Sequence, residues 1–164
     1  MSLLTQNSKM RKTSEAMGIR LVNWTIRAGV SCPYAGACNK PGKCYAQSGA
    51  YQFGNVRRRH EANLELTKDS EAFKAAMSAA LTREYKLATR RGQRLVVRIH
   101  DAGDFYSLTY LMDWLELIRA FDGVTFYCYT KSVPLFRRVP GGIPANFLVN
   151  FSMGGVADRW VMTE

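Results

Sequence analysis

Three cysteines, Cys32, Cys38 and Cys44, lie close together in the sequence, with five residues between each pair. The residues between them include Gly, Pro and Asn, which favour turns over regular structure. Among biological metal groups, zinc and iron–sulfur clusters are the usual partners of cysteine thiolates. Three thiols on one turn-rich loop therefore predict a metal or cluster site, and this is the most specific chemical signal in the chain.

The ligand count separates the alternatives for this loop. A structural zinc site needs four protein ligands, and the nearest fourth candidates are His60 and Cys128. Neither gives the paired C-x2-C spacing of common zinc modules, and we expect Cys128 to be a buried core thiol. A three-cysteine site with an open fourth position favours an iron–sulfur cluster. Zinc and a disulfide remain the alternatives.

The composition points to one cytoplasmic domain without a membrane partner. The chain has 164 residues, of which 47% are hydrophobic, enough for one substantial core. No apolar run approaches the ~20 residues that a membrane span needs. Residues 1–12 are polar and basic, unlike a secretory signal. We therefore expect reduced cysteines, which favours metal ligation over disulfides.

The charge predicts a polyanionic partner. Lys and Arg number 23 against 13 Asp and Glu, which gives a net charge of +10. Such an excess favours binding to nucleic acid or another polyanion. The basic residues are scattered, apart from a short cluster at residues 57–60, and no known nucleic-acid-binding module is evident. A basic surface without a specific partner is the simpler alternative.

Hydrophobic periodicity predicts an α/β domain over residues 19–164, after a polar segment over residues 1–18 without regular structure. Runs rich in β-branched and aromatic residues predict strands at residues 19–26, 94–100, 124–129 and 147–151. Helices are predicted from residue 54 or 55, from an Asp69–Ser70 cap to Gly92, and after a Ser107 cap. Alternating strands and helices predict a mostly parallel sheet of about four strands.

Polar residues follow every predicted strand. They are Cys32 after the first, residues 100–104 after the second, residues 129–132 after the third and residues 152–155 after the fourth. The carboxyl ends of parallel strands meet at one edge of a sheet, where active sites of α/β proteins are built. We therefore expect one composite site at this edge.

Simpler interpretations exist for several of these residues. Asp101 and Asp104 suit a tight turn and a helix cap, and a histidine at the position of His100 is most often a satisfied buried imidazole. A surface position is the simpler expectation for Lys131. For the aromatic residues of the third strand, we expect packing in the core; these are Phe126, Tyr127 and Tyr129.

Three sequence blocks together resemble a family of phage proteins. They are the cysteine block at residues 32–46, the segment RIHDAGDF at residues 98–105 and the segment YTKS at residues 129–132. From about Leu4 to the end, the chain is similar to the phage gene product 88 family. That family looks like a distant branch of the radical S-adenosylmethionine (SAM) superfamily.

The resemblance implies a fold, two cofactors and their binding residues. The fold is a partial (β/α) barrel, with a [4Fe-4S] cluster on the loop after the first strand and SAM on the fourth iron. The implied cluster ligands are Cys32, Cys38 and Cys44. The implied SAM-binding residues are Gly103 and Asp104, where the superfamily has a Gly-Gly-Glu motif, together with Asn150 and Ser152.

Two departures from the superfamily pattern are evident. The cysteine spacing is C-x5-C-x5-C instead of C-x3-C-x2-C, and about four strands are predicted instead of six. A sheet of four parallel strands leaves an open edge, so we expect another subunit, as in a homo-oligomer, to cover it. The chain would otherwise be a truncated form of a longer protein.

Two functions follow from the sequence. The first is a phage-type iron–sulfur protein that resembles radical SAM proteins, an enzyme if SAM binds, with an unknown substrate. The second is a non-enzymatic basic protein in which zinc and the cysteines form a structural knot. Its partner would be nucleic acid or a host protein, in the host cytoplasm if a phage encodes the chain.

Overall fold

Four parallel strands form the sheet of the protein. The computed structural model describes residues 2–40 and 42–161. The strands are β1 (Ile19–Trp24), β2 (Arg94–Ile99), β3 (Thr125–Thr130) and β4 (Phe147–Phe151). Their order in the sheet is β1-β2-β3-β4, the same as their order in the chain. In a (β/α) barrel, strands that follow each other in the chain are also neighbours in the sheet. In a doubly wound sheet the strand order reverses at one point, although the strands stay parallel.

The predicted α/β class, the parallel sheet and the number of strands are confirmed. The prediction for β4 has the observed bounds, and the predicted β3 is shifted by one residue. β1 ends at Trp24, two residues earlier than predicted, because the Ile26 amide donates to the carbonyl of Ala102 at 3.2 Å. The chain is thereby turned away from the sheet towards the cysteine loop.

Within residues 2–40 and 42–161, five α-helices accompany the strands. They are α1 (Ser8–Met17), α2 (Gly54–Leu66), α3 (Ser70–Arg90), α4 (Leu108–Ala120) and α5 (Val133–Phe136). Both predicted caps are confirmed, since Asp69 accepts from the Ala72 amide at 3.0 Å and Ser107 accepts from the Tyr110 amide at 3.2 Å. These bonds satisfy amides that the first helical turn leaves without partners.

The expectation that residues 1–18 lack regular structure is wrong for the described part, which excludes Met1. Asn7 caps α1 by accepting from the Met10 amide at 2.9 Å, and Gly18 ends it with a φ of +63°. Met10 packs against β1 at Ile19 and Leu21. The helix was missed because only three of its ten residues are apolar and only one of these, Met10, is buried, so the segment has the composition of a polar loop.

One face of the sheet packs against α3 and α4 and forms the main core. Trp24 at the end of β1 lies against Phe73 of α3 and Trp114 of α4, with ring centroids 5.7 and 6.4 Å away. Its indole donates to the Tyr110 hydroxyl at 2.8 Å. The Cys128 side chain is fully buried on this face, as predicted.

The second face of the sheet is only partly covered. α1 packs over β1, whereas side chains of β3 and β4 stay accessible, with Tyr129 54% and Leu148 57% exposed. The prediction that Tyr129 packs in the core is therefore wrong, although it holds for Phe126. The reason is the two-residue alternation of a strand, which turns Tyr129 away from the face that buries Phe126 and Cys128.

None of the helices in residues 2–40 and 42–161 is both long enough and apolar enough to span a lipid bilayer.

Candidate functional site

A cavity of about 160 Å³ lies where the carboxyl ends of the strands meet. The loop after β1, which contains the three cysteines and is called here the cysteine loop (residues 27–53), forms one wall. All three of its thiols line the cavity. The segments after β2, β3 and β4 contribute the other walls, with Asp104, Lys131 and Ser152 among them. The strand ends thus converge on the cysteines.

The beginning of the cysteine loop is held by a glycine contact. Gly103, in the turn after β2, has a φ of +83°, a conformation that side chains disfavour. A Cβ atom there would lie 2.4 Å from Ile26 Cγ1 and 2.8 Å from Ser31 Oγ. Only a glycine lets the two segments approach this closely.

The middle of the cysteine loop is held by the segment after β4. The Val156 amide donates to the carbonyl of Tyr34 at 3.1 Å. A Cβ atom on Gly36 would lie 2.9 Å from the carbonyl oxygen of Gly154, so the two backbones are in direct contact. This contact positions the loop against the fourth strand end.

The end of the cysteine loop is held by Asp101. The hydroxyl of Tyr45 donates to the Asp101 carbonyl, and the hydroxyl of Tyr51 donates to its carboxylate at 2.7 Å. Arg98 of β2 pairs with the same carboxylate at 2.8 Å. Asp101 therefore does more than shape a turn, because it connects the loop to the second strand.

Asp104 joins the ends of β2 and β3. Its carboxylate is buried and accepts from the Thr130 hydroxyl at 2.6 Å and from the amides of Phe105 and Lys131 at 2.8 and 2.9 Å. Burial raises the pKa of this carboxyl above its ordinary value, while the three hydrogen bonds act in the opposite direction. Most of its acceptor positions are thus used within the protein.

The thiols of Cys32 and Cys38 are shifted towards their protonated form. Burial raises the pKa of Cys32 to about 11 and also raises the pKa of Cys38, with a contribution from Cys44 in both cases. Within the described residues, no group of three or more His, Cys, Asp or Glu side chains is arranged to hold a single metal ion.

Comparison with known proteins places the chain in a family. The Gene product 88 family matches residues 1–162, nearly the whole sequence. The chain belongs to this phage protein family. The Gene 88 protein of Mycobacterium phage D29 is similar to it, with 33% identity over 110 residues. This match covers 63% of the chain and 43% of the D29 protein, so the chain spans less than half of that relative. No solved structure matches the chain.

In this Gene product 88 family member, three of the four predicted SAM-binding residues reach the cavity. Gly103, Asp104 and Ser152 line it. Asn150, on the second face of the sheet, is not part of its wall. There its amide donates to the carbonyl of Cys128 at 3.1 Å.

Of the other predicted residues, Lys131 lies at the cavity and His60 does not. Lys131 lines the cavity, and its ammonium donates to the carbonyls of Ser152 and Met153, which holds the segment after β4. His60 lies on α2 beside a different cavity, with Arg27 and Gly29. Together with the core position of Cys128, this leaves neither fourth-ligand candidate in the cavity wall.

His100 also lines the cavity, at a position where a satisfied buried imidazole was the simpler expectation. It is the one non-glycine residue with a positive φ in the described ranges, at +65°, a conformation that costs energy. Its Nε2 lies 2.9 Å from the Tyr110 hydroxyl, and that hydroxyl already accepts from Trp24. The hydroxyl hydrogen needs an acceptor, and among the described residues Nε2 is the one within reach, which leaves the imidazole hydrogen on Nδ1.

The Nδ1 atom of His100 is buried and has no hydrogen-bond partner in the part of the chain that is described. Burial lowers the pKa of His100 to about 3, so the ring is neutral at pH 7. A buried donor without a partner is unusual in a native protein. The neutral N–H group is an unused hydrogen-bond donor of a residue that lines the cavity.

The buried neutral state of His100 predicts acid sensitivity. Because its folded-state pKa is below the unfolded value, the unfolded chain takes up a proton as the pH falls below about 6.5, and the folded protein does not. Its contribution to the free energy of unfolding is complete above pH 6.5 and is lost on acidification, by about 1.4 kcal/mol per pH unit. We expect this loss to be absent in His100→Asn, because asparagine does not titrate. Asparagine also tolerates the positive φ at this position.

Urea denaturation of both proteins at pH 7 and pH 5 measures the difference. His60→Asn is the matched control, because the pKa of His60 is lowered by burial too but by less. An equal acid-induced loss in wild type and His100→Asn would show that His100 titrates normally.

Proposed function

We propose that the protein is an iron–sulfur protein that holds a [4Fe-4S] cluster on Cys32, Cys38 and Cys44. The observation that carries this proposal is the convergence of all three thiols on one cavity at the carboxyl ends of the strands. Thiolates are the preferred ligands of such clusters. The number and type of the donors fit the group, with one iron left for another ligand.

The donor count favours a cluster over a single zinc ion. A structural zinc needs four protein ligands, and neither fourth candidate, His60 or Cys128, lines the cavity. A cluster held by three thiolates needs no fourth protein ligand. Because burial raises the pKa of Cys32, binding must release a proton from its thiol, and affinity should increase with pH.

We further propose that the cavity binds SAM next to the cluster, as the radical SAM resemblance suggests. SAM on a reduced cluster would supply an alkyl radical, which would make the protein an enzyme. Of the chain's own residues, Gly103 keeps the cavity wall close to the cysteine loop, and Asp104 offers its remaining carboxylate acceptor to an ammonium group. His100 adds a neutral N–H donor for an acceptor atom in the cavity.

The cluster proposal predicts a coloured protein. Purified without oxygen, the wild type should be brown and contain bound iron, through thiolate-to-iron charge transfer. Cys44→Ala should lose the colour and most of the iron. Cys128→Ala, which removes a thiol from the core and not from the cavity, is the matched control and should keep both. Absorption spectra and metal analysis provide the measurement.

A colourless wild type that carries one zinc would contradict the cluster. The structural-knot alternative would then be favoured. Full iron content in Cys44→Ala would show that this cysteine is not a ligand.

The SAM proposal predicts saturable binding to the cluster-loaded protein. Calorimetric titration of the anaerobic wild type with SAM should release heat, whereas the Cys44→Ala protein should give none, because the open iron is missing. Asp104→Asn removes the carboxylate proposed to accept from the SAM ammonium group and keeps the three cysteines. It should weaken SAM binding without removing the cluster. A wild type that retains its cluster and gives no heat would remove the enzymatic part of the proposal and leave the iron–sulfur part in place.

We also propose that a second copy of the chain covers the free edge of β4. This strand pairs with β3 on one side, and an apolar groove of about 350 Å³ runs beside it, lined in part by Ile143, Phe147 and Phe151. An uncovered strand with apolar neighbours is prone to pair with another chain. The contact would be isologous, because a two-fold axis would pair the β4 edge of one copy with the β4 edge of the other.

Sedimentation analysis tests this edge. The wild type should be a dimer, and Ile143→Lys should shift it to the monomer by placing a charge in the groove. Leu148→Lys, on the second face of the sheet, is the matched control. A monomeric wild type at high concentration would exclude the dimer.

A further inference from the structure

The second face of the sheet carries a basic and partly aromatic surface beside the cavity. This open face consists of the β2, β3 and β4 residues whose side chains alternate away from the core: Arg94, Val96, Arg98, Thr125, Tyr127, Tyr129, Leu148 and Asn150. Two of its side chains are arginines, and none is a carboxylate. The adjoining helix α1 adds exposed Lys9, Arg11 and Lys12 against one acid, Glu15. Because Arg98 pairs with Asp101, the excess positive charge near this face comes from Arg94 and the cations of α1.

Tyr129 lies at the end of the open face that adjoins the cavity. The residue is 54% exposed, and its partner in the register is Asn150 of β4. Tyr127 contacts it edge-on, with ring centroids 6.2 Å apart. The guanidinium carbon of Arg98 lies 5.8 Å from the Tyr129 ring centroid. Tyr127 and Arg98 thus hold the Tyr129 ring in place.

Arg98 is itself held in position. Its Nη1 pairs with Asp101 at 2.8 Å, which fixes the guanidinium, and its Nε is buried without a hydrogen-bond partner in the described residues. Arg98 and Tyr129 both belong to the cavity wall as well as to the open face. The open face and the cysteine cavity are therefore continuous.

These features match one class of partner. Proteins that bind single-stranded nucleic acid combine exposed aromatic rings, on which bases stack, with cationic groups that attract the phosphates. A sheet that presents aromatic side chains on an uncovered face is a known form of such a surface. A double helix would not offer free base faces to Tyr129.

We propose that the open face binds single-stranded nucleic acid, with a base stacked on Tyr129 and the phosphates near Arg94 and α1. The bound strand lies across β2 to β4 and brings a nucleotide to the mouth of the cysteine cavity. This surface is independent of the cluster, because none of the cysteine ligands belongs to it. Binding therefore does not require the proposed iron–sulfur centre.

Fluorescence anisotropy with labelled single-stranded DNA and RNA oligonucleotides tests the proposal on the full chain. We expect saturable binding that weakens with salt, and competition by unlabelled single strands more than by duplex. Tyr129→Ala should weaken binding by about 5- to 150-fold, the loss expected for one stacked base. Tyr129→Phe, which keeps the aromatic ring, should bind like the wild type.

Two controls separate this surface from general basicity and from the cluster. Tyr85→Ala removes a tyrosine that is 43% exposed on α3, away from the open face, and should leave binding unchanged. Cys44→Ala should also bind normally, so a failure of the cluster proposal would leave this result intact. The DNA and RNA arms show which sugar is preferred.

The proposal is overturned if the wild type does not bind single strands at low salt, or if Tyr129→Ala binds as tightly as the wild type. Should Tyr129→Ala not fold, photo-cross-linking of the wild type to a bromouracil-containing oligonucleotide gives the answer. Adducts should map to peptides of β2, β3 and β4. Adducts confined to other elements would show that the strand binds elsewhere, and preferred binding of duplex would indicate plain electrostatic attraction.

Discussion

The buried carboxylate of Asp104 is the interaction on which the site depends. A charge removed from water is costly unless several donors compensate it, and here a threonine hydroxyl and two backbone amides do so. Two of these donors, Thr130 and Lys131, belong to the end of β3, whereas the carboxylate belongs to the turn after β2. The two strand ends are therefore fixed to each other, and the wall of the cavity is fixed with them.

The same turn also positions the cysteine loop. Gly103, the residue before Asp104, presses against the beginning of the loop, and Asp101 binds two tyrosines at its end. Four consecutive residues after β2 thus connect the sheet to both ends of the loop. Lys131 extends this connection to the segment after β4, whose backbone contacts the middle of the loop.

The sequence predicted the sheet well because its signals are local. Apolar strand residues, the Asp69 and Ser107 caps and the turn residues each act within a few positions, and the parallel direction of the strands follows from their alternation with helices. α1 was missed because its burial depends on tertiary contact through Met10. Tyr129 was misplaced because composition does not reveal which face of a strand is covered. The unused His100 donor depends on Tyr110 and Trp24, which only the fold brings together.

The three attachments of the cysteine loop have a consequence for how a cofactor would be acquired and lost. In small zinc modules the metal organises the chain, and removing it unfolds the domain. Here the protein's own hydrogen bonds and backbone contacts hold the loop at three places, so binding a cofactor would cost little further conformational entropy. Loss of a cofactor would not unfold the domain, and a new one could bind to the same folded molecule.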